Sequence, residues 1–141
     1  MHTFTSLFVH VVFSTENRLP FLTQEIRAGV HAYLGGCVRN LGATAIEIGG
    51  VADHVHLLAE YPPQLSISEL AGKIKANSSR WIHETVGVPR FAWQRGYSAF
   101  SISRTDVSEV VRYIRGQEEH HRKESFIEEV QKFLAEYQIN R

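Results

Sequence analysis

The stretch "VADHVHLLAE", residues 51–60, carries two histidines one residue apart in a run that otherwise has the pattern of a buried strand. Side chains alternate along a strand, so one face carries Val55, Leu57 and Ala59. His54 and His56 share the other face. An imidazole is costly to bury unless a hydrogen-bond partner or an ion binds it. The stretch therefore predicts a strand with one face for packing and a histidine face that water or a metal can reach.

Hydrophobic patterns on both sides of this strand predict the element order βαββαβ. Strands rich in Val, Ile and Phe are predicted at about 5–15, 43–53, 54–61 and 97–104. Amphipathic helices are predicted at about 24–41 and 66–86. The paired glycines Gly49 and Gly50 are expected to mark a bend or bulge before the third strand. This order is the signature of an α+β, ferredoxin-like (RRM-like) fold, an antiparallel sheet with two helices on one face.

Additional C-terminal helices are predicted after the βαββαβ unit. Thr105 is expected to cap the first, which should pack Val110 and Ile114 against the open face of the sheet. Ser125 and Glu128 have the spacing of a capping box at the start of the last helix. The apolar stripe of that helix is Phe126, Val130, Phe133, Leu134 and Tyr137. We interpret residues 1–141 as a single domain.

Composition limits the classes of protein to which this chain can belong. Its 141 residues are 43% hydrophobic and 21% charged, and 15 basic side chains balance 15 acidic ones. A nucleic-acid site is therefore expected as a local patch rather than a global field. No apolar run approaches the ~20 residues that span a bilayer, so no membrane partner is expected. One cysteine, Cys37, and the lack of a signal-peptide pattern favour a reducing cytoplasm.

A second histidine-containing stretch, "SEVVRYIRGQEEHH" at 108–121, offers further polar groups to the histidine face. Two imidazoles on one strand face are close enough to bind one ion, but they do not complete a metal site. Tyr113 and Gln117 are i and i+4 neighbours on one helix face, beside the apolar stripe. The pattern predicts two imidazoles, an amide oxygen, an open metal position and a nearby tyrosine.

Each of these residues also has a simpler interpretation. A buried histidine is usually a hydrogen-bonded core residue, and Tyr113 alone fits a core or rim position. Three other histidines are interpreted as structural: His10, His31 and His83. His120 and His121 fall in a charged helical stretch and are most simply a solvated face, although His120 lies near the same side as Tyr113. The residues by themselves leave a metal site and an ordinary core as alternatives.

The same motifs resemble a known family. "DHVHLL" (53–58) is followed about sixty residues later by "YIRGQEEHH" (113–121), with "RLPFL" (18–22) and "WQRGYSAFSIS" (93–103) in the expected places. Together, from about residue 5 to 121, they are similar to the single-tyrosine HUH transposases of the insertion-sequence two-hundred-like family. They also resemble its domesticated relatives that act on repetitive extragenic palindromes. Whether this chain is mobile or domesticated stays open.

The resemblance implies roles for the site residues. A divalent cation, Mg²⁺ or Mn²⁺, is expected on His54, His56 and Gln117. Tyr113 is expected to be the nucleophile that forms a 5′-phosphotyrosine. Gly116 stands where the family commonly has Asn, which leaves the activity of this copy open. The acceptor of the phenolic proton is open among Asp53, Glu60 and His120.

The resemblance also implies a substrate and a partner. The substrate is single-stranded DNA that carries a hairpin at an element end, and the partner is a second copy of the chain in a homodimer. Candidate DNA-binding residues, which mix positive charge with a stacking ring, are Arg18, Lys73, Lys75, Arg80, Arg90, Trp93 and Arg95. Each of them equally fits a solvated helix face or an ordinary aromatic loop.

The sequence therefore predicts a transposase that cleaves and rejoins single-stranded DNA at hairpin-bearing element ends. One alternative is a non-catalytic nucleic-acid-binding domain of ferredoxin-like fold, and the other is a metal-dependent nuclease that uses water. The hairpin sequence and the assembly of the site, in cis or in trans, stay open at this level.

Overall fold

Four strands and five α-helices make up the part of the chain that the structure, a computed structural model, describes: residues 2–121 and 124–139. The strands are β1 (Phe8–Ser14), β2 (Thr44–Gly50), β3 (His54–Glu60) and β4 (Ser98–Ile102). The helices are α1 (Gln24–Asn40), α2 (Ile67–Trp81), α3 (Val107–Arg115), α4 (Gln117–His120) and α5 (Phe126–Glu136). No helix within these ranges is both long and apolar enough to span a bilayer.

The strands form one antiparallel sheet in the order β2-β3-β1-β4. The two central strands are β1 and β3, which pair along their whole length, from Phe8 opposite Glu60 to Ser14 opposite His54. This order and the βαββαβ connectivity confirm the predicted ferredoxin-like fold. The register also places β1 beside both strand histidines, which decides which other side chains can reach them.

One face of the sheet packs against α1 and α2, as the alternation along β3 predicts. Val55, Leu57 and Ala59 are buried in a core together with Val30 and Leu34 of α1. The core also takes in Leu70 and Ile74 of α2 and alternate residues of β1. Each fully buried side chain of this kind stabilises the fold by about 1.5–3 kcal/mol. This face therefore fixes the sheet and leaves the histidine face for other elements.

The other face is covered by α3 and α5. Ile114 of α3 lies against Gly49 of β2, and Phe133 of α5 stacks on Phe100 of β4 with ring centroids 4.9 Å apart. The hydroxyl of Tyr137 donates a hydrogen bond to the Ser101 carbonyl, which ties the end of α5 to β4. The sequence predicted that α3 would pack there. The docking of α5 on this face was not predicted.

The predicted helix starts were right at one position and wrong at another. Ser125 and Glu128 form the complete capping box that was expected at the start of α5. Thr105 does not cap α3, because it lies inside a short 3₁₀ turn, Arg104–Asp106, and the residue before the helix is Asp106. The helix that was expected to run through both Tyr113 and Gln117 is also interrupted: Gly116 divides it into α3 and α4.

Gly49 and Gly50 act differently from the expected bulge. The register irregularity of β2 lies earlier, between Ala45 and Glu47, while both glycines pair normally with β3. A Cβ atom at Gly49 would lie 2.7 Å from the carbonyl oxygen of Ile114 and 2.8 Å from its Cγ2 atom. Gly49 is therefore the position that permits the close approach of α3 to the sheet.

Substitution Gly49→Ala should destabilise the protein by about 1–3 kcal/mol, because α3 must move away from β2 to admit the methyl group. The matched control is Gly72→Ala in α2, where an added Cβ meets no atom within 4 Å. That change should stabilise the helix by roughly 0.5–1 kcal/mol. Urea unfolding of the two variants checks both expectations, and equal midpoints would contradict the close contact.

Candidate metal and nucleophile site

The two strand histidines are fully buried on the face of the sheet that α3, α4 and α5 cover, each with 0% of its surface exposed. His54 Nδ1 lies 2.7 Å from the Asp53 carboxylate, which can only accept, so this nitrogen carries a proton and donates. His54 Nε2 then faces two further acceptors, Gln117 Oε1 at 3.1 Å and Glu129 Oε1 at 3.4 Å. A nitrogen placed between acceptors needs a proton or a metal cation there.

His56 is held in the same way by a residue of the neighbouring strand. His56 Nδ1 lies 2.8 Å from His10 Nε2, and His56 Nε2 lies 3.0 Å from Glu129 Oε1. His10 is itself 2% exposed, and burial together with the nearby His56 lowers the pKa of His10 to about 3. A neutral His10 fixes the orientation of the His56 ring, as outer partners of metal ligands do.

The helix pair α3 and α4 brings the predicted tyrosine and glutamine to these histidines. Gln117 is 1% exposed, and besides accepting at Oε1 it donates from Nε2 to Glu129 Oε2 over 3.0 Å. The Tyr113 ring lies edge-on to His56 with centroids 5.6 Å apart, and its hydroxyl donates to Glu129 Oε2. All four predicted residues, His54, His56, Tyr113 and Gln117, therefore meet in one site. Their assigned roles remain predictions.

Glu129 is the residue of this site that the sequence analysis missed. Its carboxylate is 1% exposed and contacts His56, Gln117 and Tyr113. Burial alone would raise the pKa of Glu129, but hydrogen bonds from His54 and His56 hold it below the usual range. A signal was present in the sequence, because Glu129 lies three residues after Phe126 and four before Phe133 on one helix face. A carboxylate within an apolar stripe indicates a partner on the facing surface.

The expected solvated face at His120 and His121 was wrong. The His121 side chain is 10% exposed, its Nδ1 lies 2.7 Å from the Glu124 carbonyl oxygen, and its Nε2 lies 3.2 Å from Glu129 Oε1. His120 Nε2 lies 2.5 Å from Glu124 Oε2 and 3.4 Å from the Tyr113 hydroxyl. The turn of α4 and the docking of α5 bring both rings into the site, which helical spacing alone does not indicate.

The three candidate proton acceptors occupy different places. Asp53 is engaged at His54 Nδ1, where it accepts a hydrogen bond. Glu60 is exposed at the far end of β3, four residues and therefore roughly 13 Å from His56. His120 lies within 3.4 Å of the Tyr113 hydroxyl, so it is the candidate that the fold brings to the phenol.

The charges of the site are distributed so that one imidazole is favoured as a cation. Burial would lower the pKa of His54, but its hydrogen bonds to Asp53 and Glu129 raise it above the usual value. Burial lowers the pKa of His56, and it lowers that of His121 to about 4 with the help of repulsion from His54. The buried carboxylate of Glu129 thus faces one imidazole whose cationic form is favoured, His54, and two whose neutral form is favoured, His56 and His121. A metal ion binds imidazole nitrogens in their neutral form.

The donor set fits a divalent cation. Ligand atoms of His54, His56, His121 and Glu129 all lie within 4.8 Å of one another. Imidazole nitrogens with a carboxylate or amide oxygen are ligands for Mn²⁺ and related divalent ions. The outer nitrogens of the two strand histidines are already bound, by Asp53 and His10, so their Nε2 atoms are the ones that face Glu129 and are free to bind an ion.

The candidate DNA-binding residues lie outside this site and divide into two groups. Five are exposed: Arg18, Lys73, Arg80, Arg90 and Arg95. Lys75 instead donates to the carbonyl oxygens of Gln94 and Gly96, each over 2.7 Å, and braces their loop. Trp93 packs edge-on against Phe13 and donates from Nε1 to Ser78 Oγ, so its ring supports the same loop.

Fold and site together have the arrangement expected of a single-tyrosine HUH domain, and comparisons with known proteins identify the family. Residues 3–117 match the family described as "Transposase IS200 like". That segment is most of the chain, and the chain therefore belongs to the IS200-like transposase family. The resemblance drawn from the sequence motifs is confirmed.

Curated relatives carry the same description. Two transposases for insertion sequence element IS200, from Salmonella typhimurium and from Salmonella typhi, are each 29% identical to this chain over 122 residues. The alignments cover 82% of this chain and 80% of each relative. The similarity thus extends over most of both proteins and is not confined to the histidine motif.

Solved structures share the fold. A putative transposase from Deinococcus radiodurans superposes with a TM-score of 0.68 at 22% identity and covers 83% of this chain and 95% of its own. A REP-associated tyrosine transposase bound to a REP hairpin has a TM-score of 0.60 at 15% identity, with coverages of 82% and 69%. At these identities the likeness establishes the fold and nothing further about this chain.

Acid should destabilise the protein partly through His10. Its pKa is about 3 in the folded chain and near 6.5 when unfolded, so below pH 6.5 protons bind preferentially to the unfolded state. Between pH 7 and pH 5 this group alone should remove about 2 kcal/mol of stability. Substitution His10→Gln should reduce the pH dependence by that amount, whereas His2→Gln, at an exposed residue, should not. Urea unfolding at both pH values, with a chelator present, checks this; identical pH dependence in wild type and His10→Gln would refute it.

Proposed function

We propose that this chain cleaves and rejoins single-stranded DNA at hairpin-bearing element ends, with Tyr113 as the nucleophile that forms a 5′-phosphotyrosine. A single observation carries the proposal. The Tyr113 hydroxyl contacts the same Glu129 carboxylate that His56 Nε2 approaches at 3.0 Å. A tyrosine hydroxyl and groups that can bind a cation thus lie at one point, which supports the proposal, because attack on a charged phosphodiester requires a nucleophile and a cation together.

The cation would be held by His54, His56 and Gln117, as Mg²⁺ or Mn²⁺. When bound, a divalent cation neutralises charge on a phosphate oxygen and so makes in-line displacement at phosphorus easier. The protein contributes orientation. Asp53 and His10 bind the outer nitrogens of the two imidazoles, and the buried Gln117 amide presents its oxygen to the same point.

In the proposed step the Tyr113 oxygen forms a bond to phosphorus, and the bond from phosphorus to the 3′ oxygen breaks. The phenolic proton passes to a base beside the hydroxyl. Glu129 Oε2 accepts the hydrogen bond of the hydroxyl directly, and of the three sequence candidates only His120 is in reach, at 3.4 Å. The 3′ oxygen leaves as a free hydroxyl after taking a proton. A later attack by a 3′ hydroxyl reverses the step, so ends are rejoined without ATP because the phosphotyrosine conserves the phosphodiester bond energy.

Three observations support a DNA hairpin as the substrate class. The chain belongs to a transposase family, a structural neighbour is a tyrosine transposase bound to a REP hairpin, and exposed positive charges lie on α2 and its adjoining loops. Arg80, Arg90 and Arg95 are the side chains proposed to contact phosphates. Lys75 and Trp93 are proposed to act indirectly, by holding the loop that carries Arg95.

On the basis of the family resemblance we propose a homodimer. In each subunit Tyr113 acts in the site formed by the histidines of the same chain. Tyr113 and Gln117 lie beside His54 and His56 of the same chain, and Gly49 permits the approach of α3 that places them there. Assembly in cis is therefore the arrangement we propose.

The proposal is tested with end-labelled single strands that fold into the hairpins flanking the gene, incubated with Mn²⁺ or with EDTA. Wild type should form a denaturant-resistant adduct with DNA only when metal is present. Tyr113→Phe should lower adduct formation by at least about 1,000-fold, because the phenyl ring offers no nucleophile. The matched control is Tyr97→Phe, at an exposed tyrosine, which should leave the adduct unchanged.

Other outcomes of this experiment select the alternatives. Metal-dependent cutting that survives in Tyr113→Phe would mean that water is the nucleophile and that the chain is a nuclease. Binding of the strands without cutting by wild type would leave a non-catalytic nucleic-acid-binding domain in place of the transposase.

Assembly in cis gives a separate expectation for mixed subunits. His56→Ala and Tyr113→Phe, each inactive alone, should stay inactive when they are unfolded together and refolded as a mixture. In a trans arrangement about half of the dimers in an equal mixture would be mixed, and one of the two sites in each would combine an intact tyrosine with an intact histidine pair. Up to about a quarter of all sites would then recover. Adduct formation by the refolded mixture, with refolded wild type as the control, decides between the two.

A further inference from the structure

The helix α5 delivers a carboxylate into the site from outside the segment that the family match covers. That segment ends at residue 117, whereas Glu129 lies in the middle of α5. Glu129 Oε1 is 3.0 Å from His56 Nε2, 3.2 Å from His121 Nε2 and 3.4 Å from His54 Nε2. Three imidazole nitrogens, two from β3 and one from the turn after α4, therefore converge on one buried oxygen.

The position of Glu129 is fixed by independent contacts of α5. The Ser125 and Glu128 capping box begins the helix, and the Phe126 ring lies 4.5 Å from that of His54. One turn beyond Glu129, Phe133 packs edge-on against His10 at 5.3 Å. Since Phe126, Glu129 and Phe133 lie on one face, docking of the two rings necessarily drives the carboxylate between them into the site.

A carboxylate in such a place needs a positive partner. Burial of an ionised carboxylate among neutral groups is strongly unfavourable, and buried carboxylates are generally paired with a cation or bound to a metal. On α5 itself the cationic side chain of Lys132 is bound to Glu124 at 2.6 Å, and within the site His54 is the imidazole whose cationic form is favoured. Three convergent imidazoles and one carboxylate match the ligand types of a divalent metal centre, with ligand atoms within 4.8 Å of one another.

We propose that Glu129 and His121 are themselves ligands of the divalent cation, and that cation binding therefore fastens α5 over the histidine face. The inference rests on the proposed function, since the cation is the one assigned there to His54 and His56. It extends that assignment by a carboxylate and a third imidazole, both from the C-terminal part of the chain. Cation affinity and the docking of α5 are then thermodynamically linked, because each favours the other.

The experiment measures binding of Mn²⁺ alone, without DNA, by titration calorimetry. Wild type should bind one ion, and Glu129→Gln should weaken binding at least roughly 10–100-fold, because the substitution keeps the shape but removes the charge. His121→Gln should weaken it in the same direction, and Glu129→Asp, which retains a carboxylate, should lose less. The matched control is Glu136→Gln, an exposed glutamate of the same helix, which should bind as wild type does.

Amide hydrogen exchange supplies a second measurement that separates ligation from mere packing. Mn²⁺ should slow exchange along α5 in wild type and in Glu136→Gln, but not in Glu129→Gln. If Glu129 only packed against the sheet, Glu129→Gln would change the exchange rates of α5 by the same factor with and without Mn²⁺.

Two outcomes overturn the inference, and they differ in what else they overturn. If Glu129→Gln binds Mn²⁺ as tightly as wild type or more tightly, while His54→Ala loses binding, the ion is held without α5 and the proposed function is untouched. If wild type itself binds no Mn²⁺, both this inference and the metal dependence of the proposed function fail. Tyr113→Phe, which removes no ligand, should bind Mn²⁺ like wild type in either case.

Discussion

Burial of two imidazoles on the central strand β3 is the constraint on which the site face of this protein depends. His54 and His56 have no exposed surface, so both nitrogens of each ring must find partners inside the protein. The partners come from four separate places: the residue before β3, strand β1, helix α4 and helix α5. Because a buried polar group left without its partner costs about 1–3 kcal/mol, these four places are held together by the same two side chains.

The two faces of the sheet differ in what they contribute: one forms the apolar core and the other forms the candidate site. The face under α1 and α2 is an apolar core, and it sets the positions of β1 and β3. The opposite face carries polar groups delivered by short helices, and its precision depends on close packing at a few points, above all of Ile114 on Gly49. Because the apolar core holds β3 in place, His54 and His56 are rigid. Tyr113 and Glu129 lie on α3 and α5, which are positioned by separate contacts of their own.

Charge in this protein is organised locally. The chain carries equal numbers of acidic and basic side chains, yet the site concentrates four imidazoles around one carboxylate, with His10 as a fifth imidazole behind His56. Acidic partners, Asp53 at the outer nitrogen of His54 and Glu124 at His120 Nε2, bias which nitrogens carry protons. Hydrogen-bonding partners thus already orient the imidazoles and the carboxylate of the site, which reduces the reorganisation that binding of a charged ligand requires.

The sequence by itself determined the βαββαβ order, the apolar and histidine faces of β3, and the shared side of Tyr113 and Gln117, because strand and helix periodicity are local properties. Only the tertiary structure decided which residues lie opposite. His10 meets His56 across 46 residues through the register of β1, and Glu129 meets it across 73 through the docking of α5. A periodic pattern tells which face a side chain is on but not which distant element covers that face. For that reason His10, His121 and Glu129 entered the site only when the chain was folded.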